Sequence, residues 1–179
     1  KQVFSFAMGS RELYDFIDDN PGVIAYSVDY TNNPTVVASI DDFVSVNACI
    51  EVDLFGQVCA ESVGVRHISG TGGQLDFVEG AYKSRGGQSF ICMTSTFEGK
   101  NGLVSRIKPT LTPGSIVTDP RTAVHMIVTE YGIANMKGKS TWERAEELIK
   151  IAHPDFRDEL IKEAQKMKIW RQSSKIITA

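Results

Sequence analysis

The stretch Val44-Ser-Val-Asn-Ala-Cys-Ile-Glu-Val-Asp-Leu54 alternates cleanly between apolar and polar side chains. Successive side chains of a strand point to opposite faces of a sheet, so this pattern predicts one continuous strand. The apolar set, which runs from Val44 to Leu54, forms the core face. The polar set, which runs from Ser45 to Asp53, forms a row that faces solvent or a functional site.

Further strand patterns lie on both sides of this stretch. They are Val3–Met8, Val23–Tyr30, Thr35–Ser39, Ser89–Thr94, Val104–Pro109, Ser115–Thr118 and His125–Tyr131. Few helices separate these runs, which favours an α/β fold whose mixed sheet is flanked by helices and is not uniformly parallel.

Helix signals are clearest in the last third of the chain. Ser140-Thr-Trp-Glu143 is a capping box followed by apolar residues at helical spacing. Pro154 suits the first turn of a second helix, which His153 caps. Near the start, Ser10 predicts the cap of a short helix that ends at Asp19.

Composition excludes several classes of protein. The chain has 179 residues, of which 42% are hydrophobic and 23% charged, and a net charge of −3. It has no basic stripe for nucleic acid and no apolar run of the roughly 20 residues that cross a membrane. Three cysteines without a CxxC pair, and no visible secretory signal, predict reduced thiols and a cytoplasmic protein. The first residue is Lys1 rather than Met, and a strand pattern follows at once, so we expect a fragment of a longer protein.

The segment Ser69-Gly-Thr-Gly-Gly-Gln-Leu-Asp-Phe77 is the most unusual in the chain. Its glycines let a backbone approach a ligand closely and offer N–H donors unobstructed by Cβ atoms, so the loop is a candidate cradle for a phosphate or an oxyanion. A tight turn between two elements is the alternative. The segment is neither a Walker A motif nor a GxGxxG fingerprint.

Other polar residues have ordinary structural interpretations beside the functional ones. Asn32-Asn33-Pro34 is typical of a turn, although an Asn amide can donate to an oxyanion. Glu51 and Asp53 share one strand face, where a solvated face or an ion pair competes with acid–base chemistry. Lys100 lies in a turn, either solvated or as a point charge for a phosphate or carboxylate. The three histidines lack ligand spacing, so we predict no metal site.

Several segments together resemble the C-terminal domain of the acetyl-CoA hydrolase/CoA-transferase family, and in particular its butyrate and 4-hydroxybutyrate CoA-transferases. The matching segments follow the family's order along nearly the whole chain. They are Phe6-Ala-Met-Gly-Ser-Arg-Glu-Leu-Tyr-Asp-Phe16, Val46-Asn-Ala-Cys-Ile-Glu-Val-Asp-Leu-Phe-Gly-Gln57, Ser69–Phe77, Val104-Ser-Arg-Ile-Lys-Pro109, Val128-Thr-Glu-Tyr-Gly-Ile-Ala134 and Ile151-Ala-His-Pro-Asp-Phe-Arg157.

The resemblance implies a class I CoA-transferase fold of the NagB/RpiA type, with this domain over 1–170. The residues after Trp170 are polar, which predicts a frayed tail over 171–179. In class I CoA-transferases a glutamate attacks an acyl-CoA thioester and carries CoA as a glutamyl-CoA thioester to a short-chain carboxylate. The glutamate of the family precedes the segment that matches Phe6–Phe16, so it lies upstream of this chain. We therefore expect this chain alone to be inactive, to work with an N-terminal domain of the same protein, and to form a homo-oligomer. Coenzyme A enters as a substrate, and no permanently bound cofactor is implied.

Five residues carry over from the family by position. Asn32 resembles the side-chain donor near the reacting carbonyl, with Asn33 as the alternative match. Gly73 resembles the glycine whose amide contacts CoA near the thioester, and Gly70 and Gly72 shape that loop. Lys100 resembles a lysine that contacts CoA.

Three other functions remain open at this point. An acetyl-CoA hydrolase differs only in using water to resolve the glutamyl-CoA intermediate. A non-catalytic module that binds CoA or another phosphorylated ligand through residues 70–73 is a second alternative. A third is a domain that mainly supports the other half and a dimer interface.

Overall fold

A computed structural model describes residues 1–169. The elements follow along the chain as β1 (Gln2–Phe4), α1 (Arg11–Ile17), β2 (Val23–Ala25), α2 (Val28–Thr31), α3 (Pro34–Ala38), β3 (Val44–Ala48), β4 (Glu51–Asp53), β5 (Val58–Cys59), β6 (Ser62–Val63), β7 (Arg66–His67), α4 (Gln74–Lys83), β8 (Gln88–Cys92), β9 (Thr96–Gly99), β10 (Gly102–Ser105), β11 (Ile107–Lys108), β12 (Met126–Thr129), β13 (Gly132–Asn135), α5 (Thr141–Lys150) and α6 (Pro154–Lys166). The tail predicted over 171–179 lies outside the described residues.

The prediction of a mixed α/β fold is confirmed. The largest sheet has the order β13-β12-β8-β3, in which β12 and β3 run parallel to β8 and β13 is antiparallel. A second sheet has the order β11-β4-β5, with one parallel and one antiparallel pair. Helix α4 packs on β3 and β8, and α5 packs on β13 and α6.

The predicted strand over Val44–Leu54 is divided in the structure. It forms β3 and β4, which belong to different sheets, with Cys49 and Ile50 between them. The predicted faces of β3 are reversed, because Ser45 is buried while Val46 is 67% exposed. Helix α4 covers the serine-bearing face of the sheet, where Ser45 is paired in register with the buried Ser89.

Five other predicted strands need correction. Val3–Met8 is a strand only as far as Phe4, and Val104–Pro109 is divided between β10 and β11, which belong to different sheets. Of the segment Thr35–Ser39, all but the last residue lies in helix α3 and Ser39 is the C-cap, because Asn33 caps the start of that helix and Pro34 occupies its first turn. Val23–Tyr30 is a strand only as far as Ala25 and continues into helix α2. Ser115–Thr118 forms no strand, and the nearby pairing is one isolated bridge between Val58 and Asp119.

The predicted C-terminal helices are confirmed. The side chain of Ser140 accepts from the backbone N–H of Glu143, and the Glu143 carboxylate accepts from the Ser140 N–H at 2.8 Å. His153 Nδ1 accepts from the N–H of Asp155 at the start of α6. The predicted helix after Ser10 forms as α1, although the Ser10 side chain makes no capping bond and the helix ends at Ile17.

Candidate functional site

An open groove of about 1080 Å³ lies beside the first turn of α4. Its walls come from β1, from the segment that holds α2 and α3, and from the loop that precedes α4. Asn32, Gly72 and Gly73 all line it. The structure therefore brings together three of the five residues singled out from the sequence.

Asn32 is held at the end of helix α2. Its backbone N–H donates to the carbonyl of Val28 at 2.9 Å, and its Oδ1 accepts from the hydroxyl of Thr31 at 3.0 Å. Because Oδ1 is occupied, the amide nitrogen Nδ2 is the atom turned toward Gly73. The side chain thus presents an N–H donor to the groove.

Asn33 also lines the groove, but its side chain has a structural task. It is the N-cap of α3, where its Oδ1 accepts from the backbone N–H of Thr35 at 2.9 Å. The Asn-Asn-Pro motif is therefore the junction of two short helices. Of the two asparagines, Asn32 is the one whose amide is directed at the glycine loop.

The three glycines of the loop differ in what they require. Gly72 has a φ of +56°, a left-handed conformation that favours glycine. Gly73 is the N-cap of α4, and a Cβ built there would lie 2.9 Å from Asn32 Cγ and closer still to Nδ2. A Cβ built on Gly70 would meet nothing within 4 Å. Close approach to Asn32 therefore constrains Gly73 alone.

Lys100 is not brought to this groove. It lies between Gly99 and Gly102, in the turn that joins β9 to β10, and the groove lining does not include it. Gly70 is likewise outside the lining, although it lies in the loop that leads to Gly72.

Two residues of this region had no function assigned from the sequence. Gln74, the first residue of α4, lines the groove and donates through Nε2 to Asp119 Oδ2 at 2.6 Å. Asp119 is fully buried, and burial raises the pKa of its carboxyl group, as does the nearby charge of Glu61, whereas the Gln74 bond lowers it. A lone Asp before Pro120 has the pattern of a turn, so the sequence carried no signal for this pair.

Glu51 and Asp53 hold nearby turns and loops in place through hydrogen bonds to their buried carboxyl groups. Both are buried, which corrects the expectation of a solvated face or an ion pair. The Glu51 carboxylate accepts from the N–H and hydroxyl of Thr112 and from the hydroxyl of Ser115, at 2.7–2.9 Å. Asp53 accepts from the turn that follows it, including the side-chain amide of Gln57 at 2.7 Å. Burial raises the pKa of Asp53 against the opposing effect of these bonds.

The three cysteines form no disulfide. Cys49 and Cys59 are buried, and Cys92 is partly exposed. Burial raises the pKa of Cys49 to about 12, so this thiol is not a thiolate at neutral pH.

Within residues 1–169, no group of three or more His, Cys, Asp or Glu side chains is arranged to hold a metal ion. The helices described there are all too short or too polar to cross a membrane. His125 is buried with its ring edge-on to Tyr82, and burial, together with the charge of Lys137, lowers its pKa.

A groove whose end pairs a side-chain amide with a glycine-rich helix start is suited to stabilising negative charge on an oxygen. Residues 9–164 match the family model described as the acetyl-CoA hydrolase/transferase C-terminal domain. The chain therefore belongs to the acetyl-CoA hydrolase/transferase family, and the match is to its C-terminal domain.

Individual relatives agree with this assignment. The chain is 81% identical over 176 residues to a probable butyrate:acetyl-CoA coenzyme A-transferase of Syntrophomonas wolfei, covering 98% of this chain and 39% of that protein. It is 53% identical to the 4-hydroxybutyrate coenzyme A transferase of Clostridium kluyveri, covering 93% of this chain and 38% of that protein. The crystal structure of RipA from Yersinia pestis superimposes with a TM-score of 0.86 at 47% identity, covering 93% of this chain and 37% of that one. The chain thus spans about two fifths of the length of these relatives.

Proposed function

We propose that this chain is the C-terminal half of an acyl-CoA:carboxylate CoA-transferase that moves CoA between short-chain acids such as acetate, butyrate and 4-hydroxybutyrate. The observation that carries the proposal is the contact between Asn32 and Gly73 at the groove. The side-chain amide of Asn32 lies there against the glycine that begins α4, and in this proposal the two residues supply the N–H donors that an oxyanion requires.

The chemistry begins on a glutamate upstream of this chain. Its carboxylate attacks the acyl-CoA carbonyl, and CoA leaves as a thiolate, which forms a mixed anhydride. The thiolate then attacks the glutamyl carbonyl and releases the acid, which forms a glutamyl-CoA thioester. An incoming carboxylate reverses both steps and leaves as the new acyl-CoA. Each attack puts negative charge on a carbonyl oxygen, which the Asn32 amide and the Gly73 N–H stabilise.

The lining of the groove favours substrates with an uncharged acyl chain over dicarboxylates. Its wall includes Val28, Val36 and Ile40, and its acidic side chains are the carboxylates Asp29 and Asp76. Among the described residues that line it, none is a Lys, Arg or His. A second carboxylate on the substrate, as in succinate, would meet no positive charge there, and an uncharged acyl chain meets apolar surface.

The rest of the assembly follows from the same proposal. Residues 1–170 form one domain, which meets an N-terminal domain of the same protein in the architecture of class I (NagB/RpiA-type) CoA-transferases. Gly70 and Gly72 shape the CoA-binding loop, and Lys100 reaches CoA from the β9–β10 turn. The enzyme works in the cytoplasm, which agrees with its free cysteines. It forms a homo-oligomer.

The test is to give the full-length protein acetyl-CoA and butyrate together and to follow every CoA species by mass spectrometry. We expect butyryl-CoA to appear as acetyl-CoA falls, and the Asn32→Ala variant to lose this exchange. Accumulation of free CoA alone would assign a hydrolase instead. If neither product forms with any short-chain carboxylate, while CoA still binds, the chain belongs to a non-catalytic CoA-binding protein.

A further inference from the structure

The start of helix α4 lacks the usual means of fixing a helix N-terminus. Its N-cap is Gly73, which has no side chain to accept a hydrogen bond from the first turn. The preceding Gly72 is in a left-handed conformation and adds conformational freedom. Something else must hold this turn if the Gly73 N–H is to keep one orientation beside Asn32.

The side chain of Gln74 supplies that restraint. Its Nε2 donates to Asp119 Oδ2 at 2.6 Å, so the residue directly after Gly73 is tied to a distant part of the chain. Asp119 is itself fixed, because its backbone N–H and carbonyl both bond to Val58 in β5, at 3.2 and 3.1 Å. The restraint therefore runs from the β11-β4-β5 sheet to the first residue of α4.

Burial of the Asp119 carboxyl group disfavours folding. The group is fully buried, and its Oδ1 has no hydrogen-bond partner among the described residues. An unsatisfied buried oxygen opposes folding, and apolar side chains of similar volume often serve stability as well or better. A group with that cost points to a task other than stability.

We infer that Asp119 is a positioning residue, which acts through the Gln74 side chain to hold the Gly73 N–H in place beside Asn32 at the groove. The inference rests on the proposed transferase function for its effect on the reaction. It also makes a claim about the molecule alone, namely that the pair restrains the first turn of α4.

The test exchanges donor and acceptor in the full-length protein. Gln74→Glu places two carboxyl groups in contact and breaks the tether. Adding Asp119→Asn to that variant restores an amide-to-carboxylate bond with its direction reversed. Asp53→Asn is the control, since Asp53 is also buried and hydrogen-bonded, but it is bonded by Phe55 and Gln57 in the turn that follows it rather than by a residue of α4.

Two readouts are measured on each variant, namely hydrogen exchange of the segment 71–77 and the kcat and KM of CoA transfer. We expect Gln74→Glu to speed exchange selectively in this segment and to lower kcat, with the double variant recovering about tenfold in both, as for residues coupled by contact. Asp53→Asn should lower the unfolding temperature without a selective change in hydrogen exchange of the segment 71–77 or in kcat.

Three results would overturn the inference. They are no recovery in the double variant, exchange that rises evenly over the domain, and recovered exchange without recovered kcat. A wild-type protein that transfers no CoA would refute the proposed function instead, and hydrogen exchange would still decide whether the pair restrains α4.

Discussion

Asn32 and Gly73 lie so close that Gly73 has no room for a side chain. A Cβ at position 73 would fall 2.9 Å from Asn32 Cγ and nearer still to Nδ2, which is inside the distance that real Cβ atoms keep. The two residues come from different elements, the C-cap of α2 and the N-cap of α4. Their separation is therefore set by the packing of α3 on α4, one of the more extensive contacts between elements.

This contact predicts a large effect of Gly73→Ala on CoA transfer. The new methyl group pushes the Asn32 amide away, so we expect kcat to fall by about 100-fold or more, as for loss of one oxyanion donor. Val65→Ala is the control, because Val65 is 93% exposed and lies outside the groove lining. Steady-state kinetics of the full-length protein measures both. Equal activities would mean that the loop is only a turn.

Changing Asn32 or Asn33 to Asp should have clearly different effects on CoA transfer. Asn32→Asp replaces the donor with a carboxylate that repels the developing charge, so we expect kcat to fall by about 100- to 1,000-fold. Asn33→Asp keeps an oxygen that can cap α3, so activity and unfolding temperature should hold. If Asn33→Asp alone abolishes transfer, then Asn33 is the donor.

Sequence patterns predicted this region unevenly. The glycine loop and the Asn32 motif each had an ordinary interpretation as a turn, and it was the resemblance to a family that gave them a shared function. Helix α3 was mistaken for a strand since Thr35, Val36 and Val37 are β-branched, and the cap from Asn33 and Pro34 outweighed that propensity. No local pattern could relate Gln74 to Asp119, because their bond exists only after two sheets and α4 have packed.

The alternation over Val44–Leu54 shows a different limit. It predicted extended structure correctly but one continuous strand wrongly, because the chain breaks at Cys49 and Ile50 between β3 and β4. Alternation alone also does not say which face a neighbouring helix will cover. In β3 the covered face carries Ser45, and Val44 and Val46 stay 55% and 67% exposed. Burial of Glu51 was equally hidden, since its three donors come from Thr112 and Ser115, far along the chain.

Lys100 should affect binding rather than chemistry. A contact to a remote part of CoA is the same in the ground and transition states, so Lys100→Ala should raise KM for acyl-CoA several-fold and leave kcat unchanged. The effect should shrink as salt is added, because the turn is exposed. Lys83→Ala is the control, since Lys83 pairs with Glu79 on α4. An unchanged KM would place CoA elsewhere.

One positive charge in the apolar groove should shift its substrate preference toward dicarboxylates. Val28 lines the groove one helical turn before Asn32 and is 59% exposed, so it tolerates a lysine. We expect Val28→Lys to raise kcat/KM for succinyl-CoA relative to butyryl-CoA by about tenfold. Val65→Lys, at a 93% exposed position outside the groove lining, should leave the ratio unchanged. A ratio that moves equally in both variants would exclude this groove as the acyl site.

Asp119 should also make stability depend on pH in a direction opposite to that of most carboxylates. Burial raises the pKa of its carboxyl group above the ordinary 3.8, the charge of Glu61 adds to this, and the bond from Gln74 opposes it. The other titratable neighbour, Cys49, keeps its proton because its own pKa is raised to about 12.

The folded protein therefore holds a proton on Asp119 at pH values where the unfolded chain has released it. The resulting stabilisation is fully present below about pH 3.8 and is lost as the pH rises through the folded-state pKa. Asp119→Asn cannot titrate, so the wild type should exceed the variant in unfolding temperature by more at about pH 4 than at pH 7.

Glu143→Gln provides the opposite control for this prediction. Its bonds from Ser140 lower the pKa of Glu143, so the stability it contributes is present at neutral pH and is lost as the pH falls. The wild type should exceed Glu143→Gln by more at pH 7 than at about pH 4. Thermal unfolding of the three proteins across this range measures both differences. A wild-type advantage over Asp119→Asn that grows with pH would mean that Asp119 is better stabilised as an anion when folded than when unfolded, and that Gln74 outweighs burial.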